Sequence, residues 1–333
     1  FAQFISAPIL GQISDKVGRK PILILSKIGT IIAYLILAMA SNYTLILFSR
    51  ILDGFTGGNI AVARAYLTDI TDENNRSKAM AIIGIAFGTG FIFGPAIGSV
   101  CYGLSNNFQI AGLIGAFFSI ISLLITLFFL KEPEKKSSQI KSSFANNFKL
   151  ISVNSIILLG LSLIGMIIFS GFETSFSIYT EYKFKFTSKE NSLMFLIIGV
   201  VAFMIQGSFT KIAIKPINKA TFIAFICIGS GLILSSLQKS IILSLSPLIL
   251  LIFGMAILNT HIPAELSKVA KNKGFILGVY ESINSIARIL GPIIILSSLY
   301  TKIEYIYFYL GSITLISLII SQYLFYKIYQ HKL

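Results

Sequence analysis

GQISDKVGRKP, residues 11–21, is a polar knot between two apolar runs, FAQFISAPIL before it and ILILSKIGTIIAYLILAMA after it. Asp15, Lys16, Arg19 and Lys20 crowd into this stretch, which also holds glycines at 11 and 18. Such places are scarce in a chain of 333 residues that is 55% hydrophobic and 12% charged. Soluble domains carry about 25% charged residues. With a mean hydropathy of +0.85, the chain reads as a polytopic membrane protein. Its apolar runs are long and continuous, with none of the strict alternation of a membrane barrel, so the class is all-α.

Working outward from the knot, the runs fall near 1–14, 21–40, 44–67, 78–103, 109–130, 150–180, 191–210, 217–237, 240–262, 274–300 and 304–326. The chain opens on Phe1, inside a run too short to be a full span. Either that helix completes upstream or the chain is a fragment, and the fragment is the preferred expectation. Lys and Arg are uneven: 19 lie on one set of alternate loops, 5 on the other, and Arg50, Arg64 and Arg288 lie within spans. Excess Lys and Arg marks the cytoplasmic side, which places the 11–21 loop and the C-terminus there. The net charge of +14 therefore reads as topology rather than as a nucleic-acid surface.

KEPEKKSSQIKSSFANNFK, 131–149, is the longest polar stretch and reads as a linker between residues 1–130 and 150–333. Five spans precede it and six follow, so about 11 are present where a six-plus-six design has 12. The dipeptides Gly94-Pro95 and Gly291-Pro292 recur 197 residues apart, in corresponding spans. Transporters are often built from such repeats, with their site between them.

Asp15 can cap a helix N-terminus, where free N–H groups and the helix dipole favour an anion. Gly11 permits close helix approach and Gly18 a tight turn. Arg19 can fork onto a carboxylate, and Asp69 ends a span on the same side. A solvated turn obeying the positive-inside rule is the plain alternative. Ionisable residues within spans are costly and usually face a cavity or a partner. Arg50 and Asp53 share one face, three residues apart. Arg64, eleven residues beyond Asp53, turns through about 1100° and returns to nearly that face, or else snorkels to the interface. Glu281, Asn284, Ser285 and Arg288 form one polar stripe, in which Glu281 neutralises Arg288 or a neighbouring helix. Glu173 is either a buried proton site or an interfacial acid. Gly84 and Gly88 form one small-residue ladder, and Gly90, Gly94 and Gly98 a second; Pro95 invites a bend. A static packing face is the alternative. His261, beside Pro263, is expected in a loop at a helix end. Cys101, Cys227, His261 and His331 make no metal site, and no nucleophile–base pair or phosphate loop suggests an enzyme.

GQISDKVGRKP resembles the signature between the second and third helices of the major facilitator superfamily. SRILDGFTGGNIAVARAYLTDITDENNRSKA, 49–79, is similar to that superfamily's fourth helix and following loop. GIAFGTGFIFGPAIG, 84–98, and GVYESINSIARILGP, 278–292, are similar to the fifth and eleventh helices of its drug–proton antiporters, the tetracycline-resistance branch being nearest in style. The resemblance implies two pseudo-symmetric helical halves, and a truncated first half holding helices 2–6. It implies proton-coupled export of a small apolar or amphipathic molecule, multidrug or tetracycline-like, by alternating access. An uptake symporter or facilitator on the same fold, or a truncated non-transporting membrane protein, are the alternatives. Asp15, Gly18, Arg19 and Asp69 would be the gate latch; Arg50, Asp53, Glu173 and Glu281 the proton-coupling candidates; Gly88, Gly90, Gly94, Pro95 and Gly98 the flexible antiporter helix; Asn284 and Arg288 polar cavity residues. The expected partners are a small-molecule substrate, protons and membrane lipid, with no nucleic acid and no cofactor beyond the proton gradient. A monomer in a bacterial inner membrane is the expected setting. Three departures stand against tetracycline–metal specificity: Ala33 rather than an acid before Tyr34, a second-half loop KIAIKPINK without acid or glycine, and Ser99 after Gly98.

Overall fold

The computed structural model describes residues 1–105, 108–134, 144–238, 240–270, 272–298 and 305–330. They form thirteen helices: α1 Ala2–Val17, α2 Arg19–Ala38, α3 Tyr43–Thr56, α4 Asn59–Ile70, α5 Arg76–Ser105, α6 Phe108–Phe128, α7 Phe144–Lys149, α8 Val153–Phe184, α9 Ser188–Phe209, α10 Ile217–Leu237, α11 Ile241–Val269, α12 Lys273–Ser298 and α13 Ile306–Gln330. Every apolar run became helix. The run 44–67 became two, α3 and α4, separated by Gly57 and Gly58. Among the described residues, nine helical segments are long and apolar enough to cross a membrane.

Lipid replaces water as the solvent of the outer faces. On α6, Leu113, Phe117, Ile121, Leu124 and Phe128 all stand exposed at helical spacing, an apolar stripe that would face the wrong solvent in a soluble protein. Within such a solvent each backbone polar group must be satisfied internally. The α3–α4 break obeys this rule. Ser6 Oγ donates to the Gly54 carbonyl at 3.2 Å, Gln3 Nε2 donates to that of Gly57 at 3.3 Å, and the Ser26 hydroxyl donates to that of Thr56.

The chain divides into two compact units, each discontinuous in sequence. The first comprises Phe1–Glu73, Gly94–Ile151 and Leu266–Ser285; the second comprises Asn74–Phe93, Ser152–Glu265 and Ile286–Leu333. In the first, α2 packs on α3 and α6, and α1 on α3 and α4. The beginning of α12 also belongs to it. In the second, α13 packs on α10 and α8, and Phe225, Ile228 and Leu232 of α10 and Leu251 and Ile257 of α11 are fully buried.

Candidate functional site

The polar knot opens at a single residue. α1 runs to Val17, α2 begins at Arg19, and Gly18 between them has φ +122°, where an L side chain is strained. A Cβ at Gly18 would also lie 2.8 Å from Glu132 Oε1.

Asp15 does cap a helix N-terminus, and that helix is α12. Its Oδ1 accepts the Gly274 N–H at 2.9 Å and its Oδ2 the Phe275 N–H at 3.0 Å. Two of the four free donors at the start of α12 are thereby met by one carboxylate, in the place where the helix dipole favours negative charge. Glycine brings the two helices together. A Cβ on Gly11 would sit 2.0 Å from the Gly274 carbonyl oxygen, and one on Gly278 would sit 2.5 Å from that of Ala7.

Arg19 ties this cap to its surroundings. Nη2 meets Asp15 Oδ1 at 2.7 Å, Nε meets Asp69 Oδ2 at 2.9 Å, and Nη1 donates to Ser14 Oγ at 2.6 Å. Asp69, at the end of α4, receives Lys273 Nζ on its other oxygen at 3.0 Å. Its carboxylate thus joins α2 to the first residue of α12. The structure brings together all four proposed latch residues, Asp15, Gly18, Arg19 and Asp69.

Glu132 was not singled out in the sequence, where it reads as linker. Its two oxygens accept the N–H groups of Arg19 at 2.6 Å and Lys20 at 2.7 Å, capping α2 as Asp15 caps α12. An acid just beyond a span, with an uncapped helix start on the same side, was the available signal.

The candidate proton-coupling residues separate. Glu281 Oε1 accepts from Arg64 Nε at 2.7 Å, with side chains 3% and 5% exposed. Arg64 therefore does not snorkel, and Glu281 neutralises α4 rather than Arg288. The Gly57–Gly58 break voids a rotation counted along one straight helix. Arg64 also lies 5.2 Å from the Tyr280 ring centre, close enough for a cation–π contribution. Arg50 and Asp53 are looser, at 3.4 Å with side chains 41% and 28% exposed, and Arg50 lies over Tyr34. Asn284 and Ser285 are buried, so within the expected polar stripe they line no open surface. In the second unit, half-buried Glu173 on α8 has Arg288 of α12 as its opposite charge.

The glycine ladders of α5 also part company. Cβ atoms at Gly84 and Gly88 would strike Gln206 and Phe203 of α9, at 2.2 and 3.0 Å, so this ladder is a close helix contact. At Gly90, Gly94 and Gly98 an added Cβ meets nothing within 4 Å among the described residues. Close packing, expected of that second ladder, is not found there. The helix runs on through Pro95, whose side chain lies outside the described residues, as does that of Ser99.

His261 is a correction. It is buried inside α11, which continues past Pro263 to Val269. Its Nε2 accepts the Ile214 N–H at 2.9 Å, which fixes a neutral ring, and its Nδ1 faces Thr260 Oγ1 and the Ile257 carbonyl. The second-half loop KIAIKPINK is thus held by a neutral contact, aided by Lys215 Nζ donating to Asn74 Oδ1 at 2.9 Å. Among the described residues no group of His, Cys, Asp and Glu could hold a metal ion.

Comparison with known proteins gives this geometry a family. The chain is 28% identical over 328 residues to mouse Major facilitator superfamily domain-containing protein 10, covering 88% of this chain and 69% of that one. It is 29% identical to Multidrug resistance protein 2 of Bacillus subtilis, covering 87% and 75%. To the class B Tetracycline resistance protein of Escherichia coli it is 28% identical, covering 88% and 75%. The crystal structure of the human organic anion transporter MFSD10 superposes with a TM-score of 0.87 at 24% identity, covering 96% of this chain and 81% of that one. The family model of the Major Facilitator Superfamily matches residues 1–292. With that match over most of its length, the chain belongs to the major facilitator superfamily.

Proposed function

We propose that the chain is a secondary active transporter that exports a small apolar or amphipathic molecule, multidrug or tetracycline-like, in exchange for entering protons. The observation that carries the alternating-access reading is the cap of Asp15 on α12. It joins residues 259 apart in sequence through bonds that can be made and released without unfolding any helix. In this reading the cap, Arg19, Asp69 and the Arg64–Glu281 pair hold the basic end of the molecule closed. The basic end is cytoplasmic, on the excess of Lys and Arg in its loops. Release of α12 then admits substrate from that side. The setting is a bacterial inner membrane, with the protein acting as a monomer among lipids.

A proton-coupling acid must be reached from solvent in at least one state. Asp53 suits that task best of the four candidates: its partner Arg50 is near but loosely held, and both are partly exposed. Glu281 is sealed against Arg64 and serves the closed state instead. Glu173, opposite Arg288, is the reserve. Inside-out vesicles loaded by a pH gradient test the assignment with a fluorescent amphiphilic substrate. Asp53→Asn is expected to abolish gradient-driven accumulation while leaving counterflow exchange of substrate intact. Undiminished accumulation in that variant would move the role to Glu173, and wild-type vesicles that ignore the gradient would end the proton-coupled reading.

A further inference from the structure

The segment joining the two halves of the sequence has described residues at both ends, 131–134 and 144–151. Each end touches a different partner of the Asp15 cap. At the first end, Glu132 receives the Arg19 and Lys20 N–H groups, and Tyr66 of α4 donates its hydroxyl to the Lys131 carbonyl at 3.0 Å. Lys20 Nζ returns to the Leu127 carbonyl at 2.8 Å. The start of α2 and the end of α6 are thus bound through backbone and side chain alike.

At the other end, the six-residue helix α7 lies against the start of α12. Asn272 Nδ2 donates to Asn147 Oδ1 at 2.7 Å, and the Phe148 ring meets the Phe275 ring edge-on at 5.0 Å. Phe275 is the residue whose N–H Asp15 accepts. The backbone of one residue is held by the cap while its side chain is held by the linker.

From this convergence we infer that the two described ends of the linker are working parts of the latch: Glu132 is a positioning residue for Arg19, and Phe148 a positioning residue for Phe275. Glu132 fixes the backbone from which the Arg19 guanidinium reaches Asp15 and Asp69. Gly18 supplies the φ of +122° that lets Arg19 and Lys20 present adjacent N–H groups to one carboxylate. Asp15 therefore finds α12 with its own orientation set by Arg19, and finds Phe275 already seated. Loss of either linker contact should leave the cap chemically intact and geometrically loose.

The inference rests on the latch reading above, and the test separates the two. Thr68, 1% exposed at the end of α4, is replaced by cysteine as a reporter in the full chain, with Cys101 and Cys227 changed to Ser. A membrane-impermeant maleimide is applied to the basic side in inside-out vesicles. Asp15→Asn is expected to raise the labelling rate about tenfold, the effect of about 1.4 kcal/mol on an equilibrium. Glu132→Ala and Phe148→Ala should each raise it severalfold. Glu132→Gln, which keeps one acceptor, should fall between Glu132→Ala and the parent, and serves if the alanine variant does not insert. Combined with Asp15→Asn, Glu132→Ala should add little, because both act through one chain of contacts.

Parent-like labelling in the Glu132 and Phe148 variants, with Asp15→Asn raised, would overturn the linker inference and spare the latch. Parent-like labelling in Asp15→Asn would overturn the latch itself. Full multiplication of the Asp15→Asn and Glu132→Ala factors would show that Glu132 loosens the protein generally, and its positioning role would fall.

Discussion

Arg50 and Asp53 lie three residues apart on α3 and meet at 3.4 Å, with 41% and 28% of their side chains exposed. Arg64, on the continuation of the same run, reaches across 217 residues of sequence to Glu281 at 2.7 Å, and both side chains are almost fully covered. The two pairs use the same chemistry under different solvation. Exposed pairs contribute about 0–1 kcal/mol, since water screens them and holding two long side chains costs entropy. A buried pair is costly to assemble and more costly to break, because removing one partner strands the other's charge, at about 3–5 kcal/mol. The local pair is the one to which the proposed function gives the proton. The distant pair is suited to making one arrangement of helices much better than another.

The largest expected effect tests that division directly. Arg64→Met alone should destabilise the protein by about 3–5 kcal/mol, read as a fall in the thermal midpoint of the detergent-solubilised protein. Arg64→Met with Glu281→Leu should recover most of that loss, since apolar groups of similar volume often replace a buried pair at little cost. Recovery absent from the double variant would mean that the pair does more than neutralise two buried charges. Neutralising Asp53 in the other pair should cost less than about 1 kcal/mol and move the midpoint little. A large shift there would erase the contrast.

How much of this was legible in the sequence depended on chain distance. The helix runs were plain from hydropathy, and α10 was placed at 217–237 to the residue. The capping chemistry of Asp15 was legible from residue type; its target was not, because nothing local to residue 15 points to residue 274. Arg64 eludes a local reading because its partner Glu281 lies 217 residues away and its helix is interrupted at Gly57 and Gly58. His261 reads as a loop residue because Pro263 signals a helix stop, a rule that weakens in membranes where neighbours satisfy the freed backbone group. Glu132 was passed over because linkers are presumed solvated, yet its carboxylate is the only described side chain bonded to both the Arg19 and Lys20 N–H groups.

The next effect concerns the backbone contact beneath the cap. Gly11→Ala places a methyl 2.0 Å from the Gly274 carbonyl oxygen, where the neighbour is backbone and cannot swing aside. Overpacking of this kind costs about 1–3 kcal/mol. Here the charge that loosens with it is the Asp15 cap, whereas the Arg64–Glu281 pair has its own anchor. Substrate efflux from whole membranes should therefore fall about tenfold while the solubilised protein keeps most of its thermal midpoint. Equal losses in both would say that cap and pair form one cooperative unit rather than two separable ones.

Smallest in effect, and sharpest in what it separates, is alanine along α5. A methyl at Gly88 would sit 3.0 Å from the Phe203 backbone nitrogen, and one at Gly90 would meet nothing within 4 Å among the described residues. Helix propensity alone favours alanine over glycine by about 0.5–1 kcal/mol at either site. Gly90→Ala should show that gain as a slightly raised thermal midpoint, and Gly88→Ala should lose it to the contact with α9. If efflux slows in Gly90→Ala while the midpoint rises, glycine stands there because α5 must bend during transport, a need that packing cannot explain. If efflux is unchanged, the open space beside Gly90 has no mechanical role.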